Sequence, residues 1–266
     1  MGDIMSRKTI DRTGETRINN FGSQMIIIRY RMNRDIDVYF PEYDYIFKGA
    51  AYKSFKKGSI ICPYEPRCYG HGFLGEGKHK VYDENIKRTK CYDAWHDMMR
   101  RCYDPKYHEK EPTYKGCEVC KEWLNFQMFA EWYYKNHYEI EGQRICLDKD
   151  ILLKGNKIYS ADTCIFVPHR INSLFVKSYK LRGELPIGVS YHKRDKKFRA
   201  DCSVYDLKEN KSKIKNLGYY KTPQEAFEAY KQFKENYIKE VAEYYKDKIP
   251  QKLYDAMCNY EVDIND

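Results

Sequence analysis

The stretch that decides the fold is residues 142–175, which read GQRICLDKDILLKGNKIYSADTCIFVPHRINSLF. Residues 144–152 form an extended apolar run, which predicts a β-strand. Residues 154–157 have turn chemistry, and the β-branched and aromatic residues 165–167 predict a second strand. Pro168 suits the first turn of a helix, where its missing N–H is not needed, and the apolar side chains after it recur at helical spacing. The stretch therefore predicts a strand–turn–strand–helix unit.

This ββα unit, with Asp148 and Asp150 on its first strand, resembles the HNH, or ββα-metal, motif of phage endonucleases. The resemblance continues upstream through several ordered segments. The segments that carry it are 92–105 (YDAWHDMMRRCYDP), 114–123 (YKGCEVCKEW), 125–129 (NFQMF), 147–150 (LDKD) and 159–164 (YSADTC). Thr89 suits the N-cap of a helix that reaches about Tyr103, and Asn125 suits the N-cap of a second helix. The first helix is predicted to have one apolar stripe: Trp95, Met98, Met99 and Cys102.

The centre of the motif departs from that family. In such nucleases a histidine after the strand aspartate acts as general base towards water, and an asparagine helps to hold one divalent ion. The resemblance implies that Asp148 is a hard oxygen ligand for Mg²⁺, with Lys149 and Asp150 as the other catalytic candidates. Lys149 stands at the histidine position, and Thr163 stands at the asparagine position. Lysine is a poor base at neutral pH unless burial lowers its pKa strongly, so we expect weak or absent DNA cleavage.

The cysteines allow a second kind of metal site. The chain has ten cysteines and a polar, charged N-terminus that does not predict a secretory signal, so we expect reduced thiols in the cytoplasm of a bacterial host cell. Four of them have ligand chemistry suited to a Zn²⁺ site: Cys102, Cys117, Cys120 and Cys164. Because a second closely spaced pair is missing, buried apolar thiols remain the alternative.

The composition favours an acidic partner and excludes a membrane span. The chain has 48 basic and 39 acidic residues, a formal charge of +9, and 27 tyrosines, which can stack on bases or half-bury in small domains. No apolar run is long enough to cross a bilayer. Duplex DNA is therefore the expected partner.

The N-terminal part predicts a small β-domain. Residues 1–20 are expected to form a flexible arm, and residues 21–66 contain short alternating segments that predict antiparallel strands. The role of this unit is open, with packing or dimerisation as the simplest one. Residues 67–88 contain a glycine-rich loop that lacks the P-loop arrangement. It is interpreted as a connector or close backbone contact, or as a loop that approaches phosphate with the charges of residues 78–80.

The C-terminal part carries most of the positive charge. Residues 177–215 contain twelve basic and five acidic side chains, a net +7. Three strands are predicted at 186–191, 197–204 and 214–220, and Thr222-Pro223-Gln224-Glu225 predicts a capping box that opens a long helix. Apolar side chains recur along this helix at steps of three or four, and Phe227, Tyr230 and Tyr237 are expected to pack against the sheet. This order of elements resembles the ethylene-response-factor and integrase-type DNA-binding domain.

In that family the sheet lies in the major groove, and side chains on its exposed face contact bases and phosphates. The candidates for these contacts are Tyr191, Lys193, Arg194, Lys197, Arg199 and Lys215. A charged face that is merely solvated remains the alternative.

The sequence as a whole predicts the α+β class. The expected domains are an N-terminal β-unit with its linker (21–88), an HNH-like ββα domain (89–180) and a DNA-binding-type domain (181–266). The first hypothesis is a phage or prophage DNA-binding protein derived from an HNH endonuclease. The second is a non-catalytic phage inhibitor that binds a host anti-phage defence protein.

Overall fold

The computed structural model describes residues 10–176, 184–206 and 211–264. The described chain is of mixed α+β class, as predicted. It divides into two compact units, residues 1–135 and 136–266. The expected domain boundary at 180/181 lies outside the described residues. In the described ranges, no helix is both long enough and apolar enough to cross a membrane.

The first unit opens with a four-stranded antiparallel sheet in the order β1-β2-β3-β4. Its strands are β1 (Thr16–Ile18), β2 (Gln24–Met32), β3 (Asp35–Phe40) and β4 (Tyr45–Ala50). One face buries alternate apolar side chains against Phe55 of the short helix α1 (Tyr52–Lys56). The expected arm at 1–20 therefore contributes a strand near its end, because β1 pairs with β2.

The helices of this unit follow the sheet. They are α2 (Lys90–Tyr103), α3 (Pro105–Lys110) and α4 (Phe126–Asn136), and a two-residue strand β5 (Glu118–Val119) precedes α4. The predicted caps are confirmed, since Thr89 Oγ1 accepts from Tyr92 N and Asn125 Oδ1 accepts from Gln127 N. The predicted apolar stripe of α2 is buried: Trp95, Met98, Met99 and Cys102.

The second unit begins with the ββα unit. Its elements are β6 (Ile145–Asp148), β7 (Ile158–Tyr159), β8 (Ile165–Pro168) and α5 (His169–Asn172). β6 and β8 pair antiparallel, with Asp148 opposite Ile165. A turn at Gly155, whose φ is +79°, separates β6 from β7. The predicted strand–turn–strand–helix order is confirmed, although Pro168 ends β8 and caps α5 instead of lying in its first turn.

The three-stranded sheet and the long helix follow. The sheet has the order β11-β10-β9, with β9 (Val189–His192), β10 (Lys197–Asp206) and β11 (Lys211–Tyr220) all antiparallel. The helix α6 (Pro223–Tyr245) opens on the predicted capping box of Thr222 and Glu225, and α7 (Gln251–Cys258) follows it.

The helix α6 joins two hydrophobic cores of this unit. Its first half packs Phe227 and Tyr230 against Ala200 and Cys202 of the sheet. The predicted burial of Phe227 and Tyr230 is confirmed, whereas Tyr237 is half-buried and its hydroxyl donates to the Tyr205 carbonyl oxygen. The second half of α6 packs against β8, α5 and α7. The ββα unit and the sheet therefore use one helix as their common support.

Short 3₁₀ turns complete the described secondary structure. They are Pro41–Tyr43, Pro112–Tyr114, Lys121–Leu124, Ser173–Phe175 and Lys246–Lys248.

Candidate nucleic-acid interface

The carboxylate of Asp148 closes the turn at the end of β6. Its Oδ1 accepts the backbone N–H groups of Asp150 and Ile151, both at 2.8 Å. Burial, the largest cause, raises the pKa of Asp148, and these two hydrogen bonds oppose the rise. Oδ1 of Asp148, the expected Mg²⁺ ligand, is therefore used to hold the loop.

Lys149 is fixed by the same loop. Its side chain is buried, and Nζ donates to Asp150 Oδ1 and to the Asn156 carbonyl oxygen, each at 2.7 Å. Asn156 Nδ2 in turn donates to the Lys149 carbonyl oxygen at 2.9 Å. An ammonium group that donates to a carboxylate has no lone pair for accepting a proton from water. The position of the expected base is therefore occupied by a structural cation.

Thr163 also serves the loop. Its Oγ1 donates to the Ile158 carbonyl oxygen at 2.8 Å and lies 2.9 Å from Ser160 Oγ. Thr163 stands where the resemblance expects an asparagine, and its hydroxyl makes its contacts inside the turn. The structure thus brings the three catalytic candidates and Thr163 into one hydrogen-bonded loop whose contacts are mostly internal.

A metal ion does not fit these residues well. Asp148 and Asp150 each commit an oxygen to the protein itself, and within residues 10–176, 184–206 and 211–264 no three His, Cys, Asp or Glu side chains gather so as to hold a metal ion. The predicted zinc set is not assembled, which corrects that expectation. Three of its members are buried, as the alternative expects: Cys102, Cys117 and Cys164. Mg²⁺ at Asp148 stays a prediction.

The sheet of the second unit has two different faces. The helix face contains Ala200 and Cys202, which are buried against α6. Side chains of β10 alternate, so Lys197 and Arg199 point to the opposite side, which we call the open face. Cross-strand pairing adds residues to the open face: Ser190 and His192 of β9, and Asn216 and Tyr219 of β11. The ring contact of His192 with Tyr219, at 5.2 Å, agrees with this assignment.

The six DNA-binding candidates do not share one face. Lys197 and Arg199 lie on the open face, and Lys193 and Arg194 lie in the β9–β10 hairpin at its edge. Tyr191 is paired with Phe198 on the helix face, with the two rings 5.3 Å apart.

Lys215 also lies on the helix face. It is paired with Cys202, and its Nζ lies 4.5 Å from the ring centroid of Phe233 of α6. Because the opposite face carries Tyr219, this tyrosine replaces Tyr191 as the aromatic candidate for base contact.

The cations at the open face differ in their neighbours. Arg199 donates to Asp201 Oδ2 at 2.6 Å, and this hydrogen bond raises the pKa of Arg199. Arg194 donates to Asp195 at 3.2 Å. Three exposed lysines form no ion pair with the described residues: Lys193, Lys196 and Lys197. These three are the charges best able to meet phosphate.

Sequence reasoning missed four members of the open face: Ser190, His192, Asn216 and Tyr219. The alternation around Lys197 would have found His192 only if the length of the hairpin loop were known. Comparisons with protein-family models, with curated proteins and with solved structures found no match to this chain. The arguments about its function therefore rest on the geometry.

Proposed function

We propose that this chain is a DNA-binding protein that contacts duplex DNA through the open face and its hairpin. The observation that carries the proposal is the strand register, which gathers Lys197, Arg199, His192 and Tyr219 on the face that α6 leaves uncovered. Lys193 and Lys196 extend the positive charge along the edge of this face.

The chemistry of this face suits a nucleic acid. Lysine ammonium groups neutralise backbone phosphates without regard to sequence, and arginine, asparagine and tyrosine side chains can reach base edges. Arg199 keeps donors beyond those used by Asp201, since a guanidinium carries five N–H groups. A three-stranded antiparallel sheet packed on one helix presents these groups together on one side.

The ββα unit supports binding without efficient cleavage. The loop contacts of Asp148, Lys149 and Thr163 use the groups that would hold a metal ion or accept a proton. The same observation favours the second hypothesis, a non-catalytic protein that binds a host defence protein. The two hypotheses differ in whether the open face has affinity for DNA at all.

Fluorescence anisotropy with a labelled duplex tests the proposal. Wild-type protein is expected to bind, and the double variant Lys193→Ala/Lys197→Ala is expected to bind more weakly on every duplex tested. Lys215→Ala is the matched control, because it removes a positive charge from the helix face of the same sheet. Equal affinity of the wild type and the double variant would contradict the proposal and favour the protein-binding hypothesis.

A further inference from the structure

The first unit contains a pocket that the proposed function does not use. Its volume is 610 Å³, and it is lined by residues of the 61–74 segment, by Val81 and Tyr82, and by Tyr92, Trp95 and His96 of α2. Pockets that hold small organic ligands commonly measure roughly 300–1,000 Å³. The size of this pocket is therefore sufficient for a ligand of nucleotide dimensions.

One wall of the pocket is the glycine-rich loop. Cys68 and Gly72 pair as an antiparallel bridge, and a Cβ at Gly72 would lie 2.7 Å from the Trp95 ring. Only glycine allows the loop to approach α2 so closely. This approach is the expected close backbone contact. Tyr69, whose φ is +53°, follows Cys68 in the loop and lines the pocket.

The walls offer several flat aromatic groups. The rings of Tyr69 and His96 are 5.3 Å apart, and those of Tyr92 and His96 are 5.9 Å apart. Tyr82 also lines the pocket and is 52% exposed. Aromatic side chains that are accessible at a pocket wall can stack on any nucleobase, because every base has a planar π-face.

The buried walls carry little charge that a ligand could use. Burial raises the pKa of the Cys68 thiol to about 12, so it is protonated at neutral pH. Burial and the nearby Arg88 lower the pKa of His96, so its ring is neutral and can both donate and accept. The Glu65 carboxylate is buried and already accepts from Asn19 Nδ2 and Ser23 Oγ.

A cation remains at the pocket. Arg67 lines it and is exposed, and its guanidinium lies 4.0 Å from the ring centroid of Phe21. No carboxylate of the described residues forms an ion pair with Arg67. Arg88, by contrast, is paired with Asp93 at 3.2 Å. Arg67 is thus the group with which an anionic end of a ligand would pair.

We propose that this pocket binds a nucleobase together with its adjoining phosphate. The base stacks on the tyrosine walls and meets the edge of the His96 ring, and the phosphate pairs with Arg67. The nucleotide could be a free mononucleotide or an unpaired nucleotide of a single strand, since both present the same chemistry. The site is independent of the open face of the sheet.

Equilibrium dialysis of the full-length chain tests this site. The probes are the four nucleoside 5′-monophosphates, the nucleosides, inorganic phosphate, a short single-stranded oligonucleotide and tetramethylammonium. The monophosphates are expected to bind more tightly than the nucleosides or phosphate alone. If the protein binds only the oligonucleotide, the ligand is an unpaired nucleotide of a single strand and not a free mononucleotide.

Two variants and their controls assign the binding to the pocket. Tyr82→Ala should weaken nucleotide binding roughly 5- to 100-fold, the effect of losing one stacking aromatic. Arg67→Gln should weaken it roughly 10-fold or more, the effect of losing a charged hydrogen bond. Tyr134→Ala and Arg34→Gln remove an exposed tyrosine and an exposed arginine outside the pocket, and they should bind like the wild type.

Three results would overturn the site. The first is that no nucleotide or oligonucleotide binds. The second is that both pocket variants bind nucleotides like the wild type. The third is that tetramethylammonium binds and the nucleotides do not, which would show that the aromatic walls hold a cation. The double variant Lys193→Ala/Lys197→Ala should retain mononucleotide binding. This result separates a failure of the pocket from a failure of DNA binding at the sheet.

Discussion

The Lys149 ammonium donates a 2.7 Å hydrogen bond to the carbonyl oxygen of Asn156. Asn156 returns a hydrogen bond from its side chain to the Lys149 carbonyl oxygen, so the two residues hold the loop between β6 and β7 from both sides. The resemblance to HNH nucleases would place a general base, facing water, at the position of Lys149. In this structure the Lys149 side chain stabilises the loop instead.

Replacement of Lys149 should therefore reduce stability. Lys149→Met keeps the apolar stem but leaves the Asn156 carbonyl without its donor, which should cost roughly 1–3 kcal/mol in the free energy of unfolding. Urea denaturation measures the loss. Lys239→Met, on the exposed surface of α6, is the control and should change stability little. Equal stability of Lys149→Met and wild type would show that the buried contacts are not stabilising.

Cleavage of plasmid DNA with Mg²⁺ or Mn²⁺ should be weak. The expected base is an ion-paired lysine, and Asp148 Oδ1 is occupied by two N–H groups. Asp148→Asn keeps an oxygen acceptor for the turn while weakening a hard metal ligand. Efficient cleavage by the wild type that disappears in Asp148→Asn would restore the nuclease hypothesis.

Tyr219 and Tyr191 should differ in their effect on DNA binding. Both are partly exposed, at 43% and 48%, but Tyr219 lies on the open face and Tyr191 on the helix face. Tyr219→Ala should weaken binding and change preference among duplex sequences, while Tyr191→Ala should leave both unchanged. A competition assay with several duplexes decides between them, and the reverse result would show that the helix face meets DNA.

The stability of the second unit should depend on Lys234. This lysine lies on the buried side of α6, and burial lowers its pKa from 10.5, although the nearby Cys202 acts in the opposite direction. The unfolded chain then binds the proton more tightly, so the folded state is penalised at neutral pH and the penalty fades as the pH rises towards 10.5.

Lys234→Met should therefore stabilise the protein at pH 7, and its advantage should shrink at higher pH. Urea denaturation of both proteins from pH 7 to about 10 measures this difference, in which the other titrating groups largely cancel. An advantage that stays constant across this range would show that desolvation of the ammonium is not the cause.

Much of the fold was predictable because its signals are local. The Thr222–Glu225 capping box and the Gly155 turn depend on a few neighbouring residues, and both are present. The face of Lys215 was not predictable, since it depends on a register shift between Ala200 and Asp201. Without this bulge Lys215 would pair with Ser203 on the open face, and a shift of one residue moves a side chain to the other side of the sheet.

The buried position of Lys234 was also missed. The helical spacing runs through Phe227, Tyr230, Phe233 and Tyr237, and burial was predicted for Phe227, Tyr230 and Tyr237; this spacing does not include Lys234. The structure buries Lys234, whereas Phe233 is only half-buried against the core of the sheet. The helix α6 contacts one core with its first half and another with its second half. Helical spacing cannot show which neighbours a long helix will meet.

The salt dependence of duplex binding tests the central claim most directly. Phosphate contacts from the three lysines without an ion pair, Lys193, Lys196 and Lys197, predict a slope of roughly −2.7 in a plot of log affinity against log salt, from about −0.9 per contact. Lys193→Ala/Lys197→Ala should flatten this slope by about 1.8, whereas Lys215→Ala should leave it unchanged. A flat, weak response of the wild type, or a slope that changes with Lys215 and not with the other two lysines, would contradict DNA binding through the open face.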